Sequence, residues 1–393
     1  MIVVVGVGLD GFAGLSELSR RELRRAAVIY GSTRQLDLLD ETVSATRRPW
    51  PSPLLPAAQQ LLAENSATDI HVVASGDPLL HGIGATLIRL HGADKVRVLP
   101  HVSSVALACA RMGWSVQETE VISVLTAPVH TAIRQGGQAV VLSEDGATAA
   151  QLAALLTENG RGDSSFTVLE QLGGADERCR TATAQAWASD PPDDIDSLNV
   201  IAVKFHPDDR VAGVLIDDCY AHDGQITKQM VRATTIAALA ARPGELLWDV
   251  GSGSGSVAVE WCRGTVGCRA IAFEVNPSRR QRITANAVRF GADIEVRGSA
   301  PGSFGTARQP NAVFIGGGLT TEGLVEHCID RLPAGGRLVA NAVTAESEAL
   351  MVQWRARLGG ELRRYQHYHG EPLGGFTGWR PSMPVTQWAI TLS

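Results

Sequence analysis

Residues 246–261 read LLWDVGSGSGSVAVEW, an apolar run that breaks into three alternating glycines and then resumes. Five residues from Leu246 to Val250 with no polar alternation fit a strand buried on both faces, the parallel kind. Gly251, Gly253 and Gly255 predict a tight turn. Ser256 to Cys262 predicts the start of a helix, with Ser254 or Ser256 available to cap it. A second apolar run, Ala270 to Phe273, ends in Glu274, 25 residues after Asp249. Strand, glycine turn, helix, strand and acid make a nucleotide-binding βαβ unit. Glycines let backbone approach the ligand, and the acid accepts hydrogen bonds from ribose hydroxyls. The spacing is G-x-G-x-G, not G-x-G-x-x-G, so the glycine that packs helix on strand in dinucleotide folds is displaced. That favours a ligand without a pyrophosphate, and S-adenosylmethionine (SAM) fits best. A dinucleotide site and a purely structural turn are the alternatives the spacing leaves open.

The 393 residues suit two or three domains, and 45% hydrophobic with 19% charged residues is ordinary globular composition. No apolar run reaches the roughly 18 residues of a membrane span. The opening MIVVVGVGLDGF lacks a basic region and a small-residue cleavage site, so it predicts a first strand, not a signal peptide. Six cysteines without a C-x-x-C pair predict a reducing, cytoplasmic setting with neither disulfides nor a zinc site. A net charge of −6 offers no general attraction to nucleic acid or to anionic membranes.

Strand and helix alternate from the start. Strands are predicted near 2–5, 26–30, 70–74, 96–99, 121–125, 139–142, 166–169 and 200–203, with helices between them, as in a parallel α/β sheet. The polar stretch 206–223 carries Pro207 and five aspartates and predicts an interdomain linker. Beyond it, a helix from Lys228 leads into the glycine strand, and further strands are predicted at 270–274, 294–296, 312–315 and 337–341. The two halves share no motif, so the chain is not an internal duplication.

Other motifs carry weaker signals. Ala300, in the Gly298-Ser-Ala-Pro loop after a strand, is a candidate adenine neighbour or part of a plain turn. The triple glycine 316–318 allows close approach or gives a flexible connection. Thr227 could cap the following helix or meet a cofactor carboxylate. Arg279, Arg280 and Arg282 read as a solvated face. Gly6-x-Gly8 and Gly76-Asp77-Pro78 end strands and are weak alone. His71, His81, His91 and His101 recur every ten residues in unlike contexts and read as coincidence. His367 and His369 lack a third partner for a metal and read better as a surface strand, so no metal is expected. No nucleophile elbow, P-loop or Ser/Cys–His motif is present, which suits methyl transfer: the sulfonium leaves as a neutral thioether, and catalysis can rest on alignment.

Taken in order, several segments resemble the cobalamin-pathway precorrin methyltransferases. VVGVGLDGFAGLS, Tyr30-Gly-Ser, Ala74-Ser-Gly-Asp-Pro, Gly82-Ile-Gly-Ala and LPHVSSVALACARMGW are similar to tetrapyrrole methylases. Their general first loop is G-x-G-P-G, and Leu9-Asp10-Gly11 departs from it. GQITKQMVRA, the glycine loop, Glu274, Gly298-Ser-Ala-Pro, VFIGGG and GGRLVANAVT are similar to the partner methylase that also decarboxylates. The resemblance implies an α/β chain in which a two-lobed tetrapyrrole methylase domain (1–205, lobes about 1–100 and 101–205) is followed by a linker (206–220). A Rossmann-like class I SAM methyltransferase domain (221–393) would complete the chain. It implies one SAM per domain. Gly6, Gly8, Gly76, Asp77, Ser103 and Ser104 would line the first site. Thr227, Gly251, Ser252, Gly253, Ser254, Gly255, Glu274 and Ala300 would line the second.

The implied chemistry is methylation of precorrin-6B at C5 by the first half and at C15 by the second. Loss of the C12 acetate carboxyl would accompany it, giving precorrin-8X. Meso carbons are electron-rich, and a protonated conjugated imine in the ring can take the electrons released with carbon dioxide. The protein would orient the macrocycle and hold its carboxylates by basic groups. Lys228, Arg232, Arg297 and Asn341 are candidate substrate contacts. A homo-oligomer is expected. Two rivals stand beside this reading: an RNA methyltransferase with an accessory domain, and a protein with one active SAM site and a scaffold half.

Overall fold

The computed structural model describes residues 1–64, 69–207 and 213–392, without the side chains of 62–64. Contacts divide the chain into two compact units, 1–207 and 208–393.

The first unit holds two sheets. In the first lobe, β1 (Ile2–Val7), β2 (Val28–Gly31), β3 (Thr46–Pro49), β4 (Ile70–Ser75) and β5 (Val96–Leu99) form a parallel sheet of order β3-β2-β4-β1-β5. β1 is buried along its whole length, as its run of β-branched residues requires for a central strand covered on both faces. The second lobe has β6 (Glu120–Ser123), β7 (Gln138–Leu142), β8 (Ser165–Glu170), β9 (Arg178–Thr183) and β10 (Asn199–Lys204), ordered β6-β7-β10-β8-β9. Only β6 and β7 run parallel here; β10 is antiparallel to both its neighbours, and β9 to β8. This corrects the expectation of continuous parallel alternation. β9, RCRTAT, was hidden by its polarity: it is an edge strand with most of its side chains in solvent.

The second unit is a seven-stranded sheet. β11 (Leu246–Val250), β12 (Arg269–Phe273), β13 (Ile294–Arg297), β14 (Ala312–Ile315) and β15 (Arg337–Ala342) run parallel. β16 (Glu361–Tyr365) and β19 (Val385–Thr391) extend the sheet antiparallel, and β17 (Tyr368–Leu373) pairs with β18 (Phe376–Pro381) as a separate hairpin. The order is β13-β12-β11-β14-β15-β19-β16. The chain winds outward in both directions from β11, so the switch point, where open sheets bind ligands, lies at the end of β11. An aromatic cluster fixes that strand. The Trp248 ring lies 5.2 Å from Phe273 and 4.6 Å from Phe304, and its Nε1 donates to the Arg308 carbonyl at 3.0 Å. Burying such a side chain contributes about 1.5–3 kcal/mol.

The expected linker 206–220 is shorter at its C-terminal end, and 208–212 lie outside the described residues. Leu215, Cys219 and Tyr220 are buried with Val259, Ala287 and Phe290 in the second unit's core. The apolar residues inside the acidic stretch anchor it. Of the expected helix signals, neither Ser254 nor Ser256 caps the helix after the glycine turn: Gly255 occupies the cap position without a side-chain bond. Lys228, not Thr227, is the cap residue of the helix Gln229–Leu239, also without a side-chain bond.

Candidate functional site

In the second unit the glycine loop leaves the end of β11 with Gly251, Gly253 and Gly255 all at positive φ, +68°, +60° and +77°. Gly251 is also forced by proximity, since a Cβ there would stand 2.7 Å from the backbone of Gly317. The triple glycine after β14 is thus what lets two strand-end loops abut. Glu274 is 4% exposed and braces the loop: Oε2 accepts from the Gly253 N–H at 2.9 Å, and Oε1 from the Asn276 N–H at 2.9 Å. Each oxygen retains a lone pair for a ribose hydroxyl.

Beneath the loop, Asp249 is fully buried. Its Oδ2 accepts from the Ser252 hydroxyl at 2.7 Å and the Ala258 N–H at 3.2 Å. Burial pushes its carboxyl up to about 6, with nearby Glu274 adding to the rise. Asp249 Oδ1 and Ser254 Oγ are buried without a partner among the described residues. Unsatisfied groups at a glycine cradle fit a polar ligand such as SAM.

Residues that sequence reasoning missed or read differently complete this site. Asn286 ties the loop to the segment before the first helix. Its Nδ2 donates to the carbonyls of Ser254 (2.8 Å) and Ala221 (3.1 Å), while Oδ1 accepts from the Ala221 N–H at 2.9 Å. Arg279 and Arg282 are not simply a solvated face. They pair with Asp223 at 3.0 and 2.7 Å and hold its carboxyl well below the usual range. Arg280 donates to the Glu274 and Val275 carbonyls at 2.9 and 2.8 Å.

The candidate substrate contacts divide. Arg232 is a correction: it is 0% exposed, and its guanidinium reaches Asp217 at 3.2 Å and the Thr227 and Leu215 carbonyls. It also stacks over Tyr220. A side chain so enclosed holds the entry segment together and does not face a ligand. Tyr220 donates to Glu260 at 2.6 Å in the same network, and burial drives its hydroxyl pKa far upward. Lys228 is exposed beside Asp217 at 3.5 Å. Arg297 is held by Glu295 at 2.7 Å. Asn341, near the end of β15, bonds Thr235 (2.9 Å) and Gln387 (3.0 Å). Ala300 packs against the aromatic core.

In the first unit the loops after β1, β4 and β5 converge. Gly6 is demanded by contact alone: a Cβ would lie 2.0 Å from the Gly76 carbonyl oxygen and 2.7 Å from the His101 nitrogen. Gly76, at φ +53°, turns β4 toward Ser103 and Ser104. Ser103 caps the helix Ser104–Met112 by accepting from the Ala106 N–H at 3.1 Å. Asp77 closes its own turn by accepting from the Leu79 N–H at 2.9 Å. Gly6, Gly8, Gly76, Asp77, Ser103 and Ser104 are therefore gathered at the strand C-termini, where parallel sheets bind ligands.

The sequence profile of tetrapyrrole (corrin/porphyrin) methylases matches residues 1–188, and that of the precorrin methyltransferase domain matches 218–392. A precorrin-6Y C(5,15)-methyltransferase [decarboxylating] of Mycobacterium tuberculosis is 63% identical over 391 residues, covering 100% of both chains. One from Sinorhizobium sp. is 42% identical, covering 99% of this chain and 96% of that one. The chain belongs to the precorrin-6Y C(5,15)-methyltransferase [decarboxylating] family. The solved C-terminal domain of the Rhodobacter capsulatus protein is 46% identical, with a TM-score of 0.43, over 44% of this chain and 95% of that one. Family membership makes the chain a SAM-dependent C-methyltransferase with a tetrapyrrole substrate, and the RNA methyltransferase rival falls with it. Among the described residues, no group of three metal-ligating side chains forms, and no helix is long and apolar enough to cross a membrane.

Proposed function

We propose that the chain carries two working SAM sites, one in each unit. The first unit methylates C5 of precorrin-6B (the precorrin-6Y of the family's name). The second methylates C15 and releases the C12 acetate carboxyl as carbon dioxide, giving precorrin-8X. The reading is carried by one observation: each of the two matched domains, 1–188 and 218–392, ends its central strands in a glycine-built crevice. SAM supplies the methyl group. In the second unit the glycine loop would seat it, Glu274 would hold its ribose, Thr227 its carboxylate, and Ala300 would flank the adenine. Lys228, Arg297 and Asn341 would meet the macrocycle. In the first unit Gly6, Gly8, Gly76, Asp77, Ser103 and Ser104 would line the donor site.

The chain works in the cytoplasm as a homo-oligomer. Buried free thiols at Cys109, Cys219, Cys268 and Cys328 support the compartment. The β17–β18 hairpin, with Phe376 84% and Trp379 76% exposed, supports self-association, which sedimentation velocity would read as a mass above that of one chain.

Calorimetric titration with SAM tests the central claim. Two sites in the intact chain and one in Glu274→Ala are expected. A single site that Glu274→Ala abolishes would mean a scaffold first half and overturn the reading.

A further inference from the structure

His101 follows Pro100 at the C-terminal end of β5, where the three loops of the first lobe meet. Its backbone N–H donates to the Gly76 carbonyl at 3.3 Å. Its ring lies on Gly8, where a Cβ would stand 2.8 Å from Nε2 and 2.9 Å from Cδ2. Nε2 is 3.2 and 3.3 Å from the two carboxylate oxygens of Asp10. Asp10 is itself seated on a glycine, since a Cβ at Gly14 would come within 1.9 Å of Oδ2. Two glycines thus make room for one carboxylate against one imidazole beside the expected donor site. The His101 side chain is 16% exposed, reachable yet largely screened from water.

We propose that His101, oriented by Asp10, is the proton acceptor of C5 methylation. The inference rests on the assignment of that methylation to the first unit. A nitrogen that donates to a carboxylate fixes the tautomer and leaves the other nitrogen basic. Nδ1 is that other nitrogen. It sits opposite the ring edge that faces Gly8 and has no hydrogen-bond partner among the described residues. The reaction requires such a group. The π pair of the meso carbon forms the new C5–CH3 bond while the S–CH3 bond breaks and its electrons stay on sulfur. The ring is left as a cationic conjugated imine with both hydrogen and methyl on C5. The C5–H bond then breaks, its electron pair neutralises the ring, and the proton passes to Nδ1. Among the described residues, Asp10 is the ionisable group within ion-pair range of the ring, and Asp77 turns Oδ1 to the Leu79 N–H.

The second unit supplies an internal control in the same molecule. Full-length His101→Gln is given precorrin-6B and SAM with a 13C-labelled methyl group, and C5 methylation, C15 methylation and carbon dioxide release are followed separately. C5 methylation should fall about 100-fold, with the other two rates and the number of SAM sites by titration unchanged. The fall of the wild-type C5 rate on the acid side should vanish in the variant, which a merely structural role would not cause. Asp10→Asn, which keeps the imidazole in place, should lower the same rate by less. Unchanged C5 methylation in His101→Gln, or an unchanged acid limb, overturns the proposal. Loss of C15 methylation with C5 methylation intact overturns the assignment of the halves instead.

Discussion

The two glycine crevices reach the same end by different means. In the second unit three glycines adopt positive φ within five residues, and one buried acid, Glu274, ties the loop to the neighbouring strand. The site is written almost wholly into one continuous segment. In the first unit Gly6 and Gly8 have ordinary backbone, and glycine is needed because Gly76 and His101 crowd Gly6, and Asp10 and the His101 ring crowd Gly8. One site is built by local conformation and the other by tertiary approach. The first should be robust to changes elsewhere in the fold, the second dependent on the register of β1 against β4 and β5.

The sharpest break in that comparison lies at Arg232. Its guanidinium, itself fully buried, joins Asp217, two backbone carbonyls and Glu260 (3.7 Å). Arg232→Ala leaves those groups without their partner and should cost the second unit about 3–5 kcal/mol. Calorimetric melting should show that transition moving down while the first unit's stays in place.

Acidification should drive the units in opposite directions. Asp249 has a folded value raised to about 6 from 3.8, so its burial as an anion costs stability above pH 6. The cost, about 3 kcal/mol in full, is relieved as pH falls from about 6 toward 4. His71 in the first unit is the reverse case. Burial depresses its value below 6.5, with Glu22 (3.6 Å) opposing and Arg25 assisting. The unfolded chain then binds its proton more tightly, and stability is lost as pH falls below 6.5. Melts at pH 7 and pH 5 should show the second unit gaining relative to the first. Asp249→Asn should remove the gain and His71→Gln the loss. A parallel shift of both transitions would contradict the two assignments.

What was legible in the sequence follows the same divide. The Leu246–Glu274 unit could be read because the residues that make it are adjacent or separated by one helix. Central strands such as β1, β4 and β14 announced themselves by apolar runs, whereas β9, β16 and β18 did not, because most of their side chains face solvent. Asn286 gave no signal, since its partners Ala221 and Ser254 lie 65 and 32 residues away. Arg232 misled for a related reason: a charged residue next to a cofactor motif reads as ligand-facing, and only the fold of 213–220 shows it enclosed. His101 seemed part of a ten-residue coincidence, and its tie to Asp10 spans 91 residues. The departure of the first loop from G-x-G-P-G was visible, but its consequence was not.

The smallest effect on stability is the most direct test of the comparison. Gly6→Ala places a methyl 2.0 Å from a carbonyl oxygen that cannot withdraw, because Gly76 is bonded to β1 through its N–H and the Val7 carbonyl at 2.9 Å. Gly251→Ala meets the Gly317 backbone at 2.7 Å, a looser contact, and adds the strain of φ +68°. Overpacking of this kind costs about 1–3 kcal/mol. Gly6→Ala should lie at the upper end, and Gly251→Ala nearer the 1–2 kcal/mol of a left-handed non-glycine residue. The functional losses should not cross: C5 methylation goes in the first variant, C15 methylation and carbon dioxide release in the second. Counting labelled methyl groups in the products separates them. If Gly6→Ala silenced both methylations, the crevices would not be independent sites. The contrast between a local and a tertiary site would then give way to one cooperative unit.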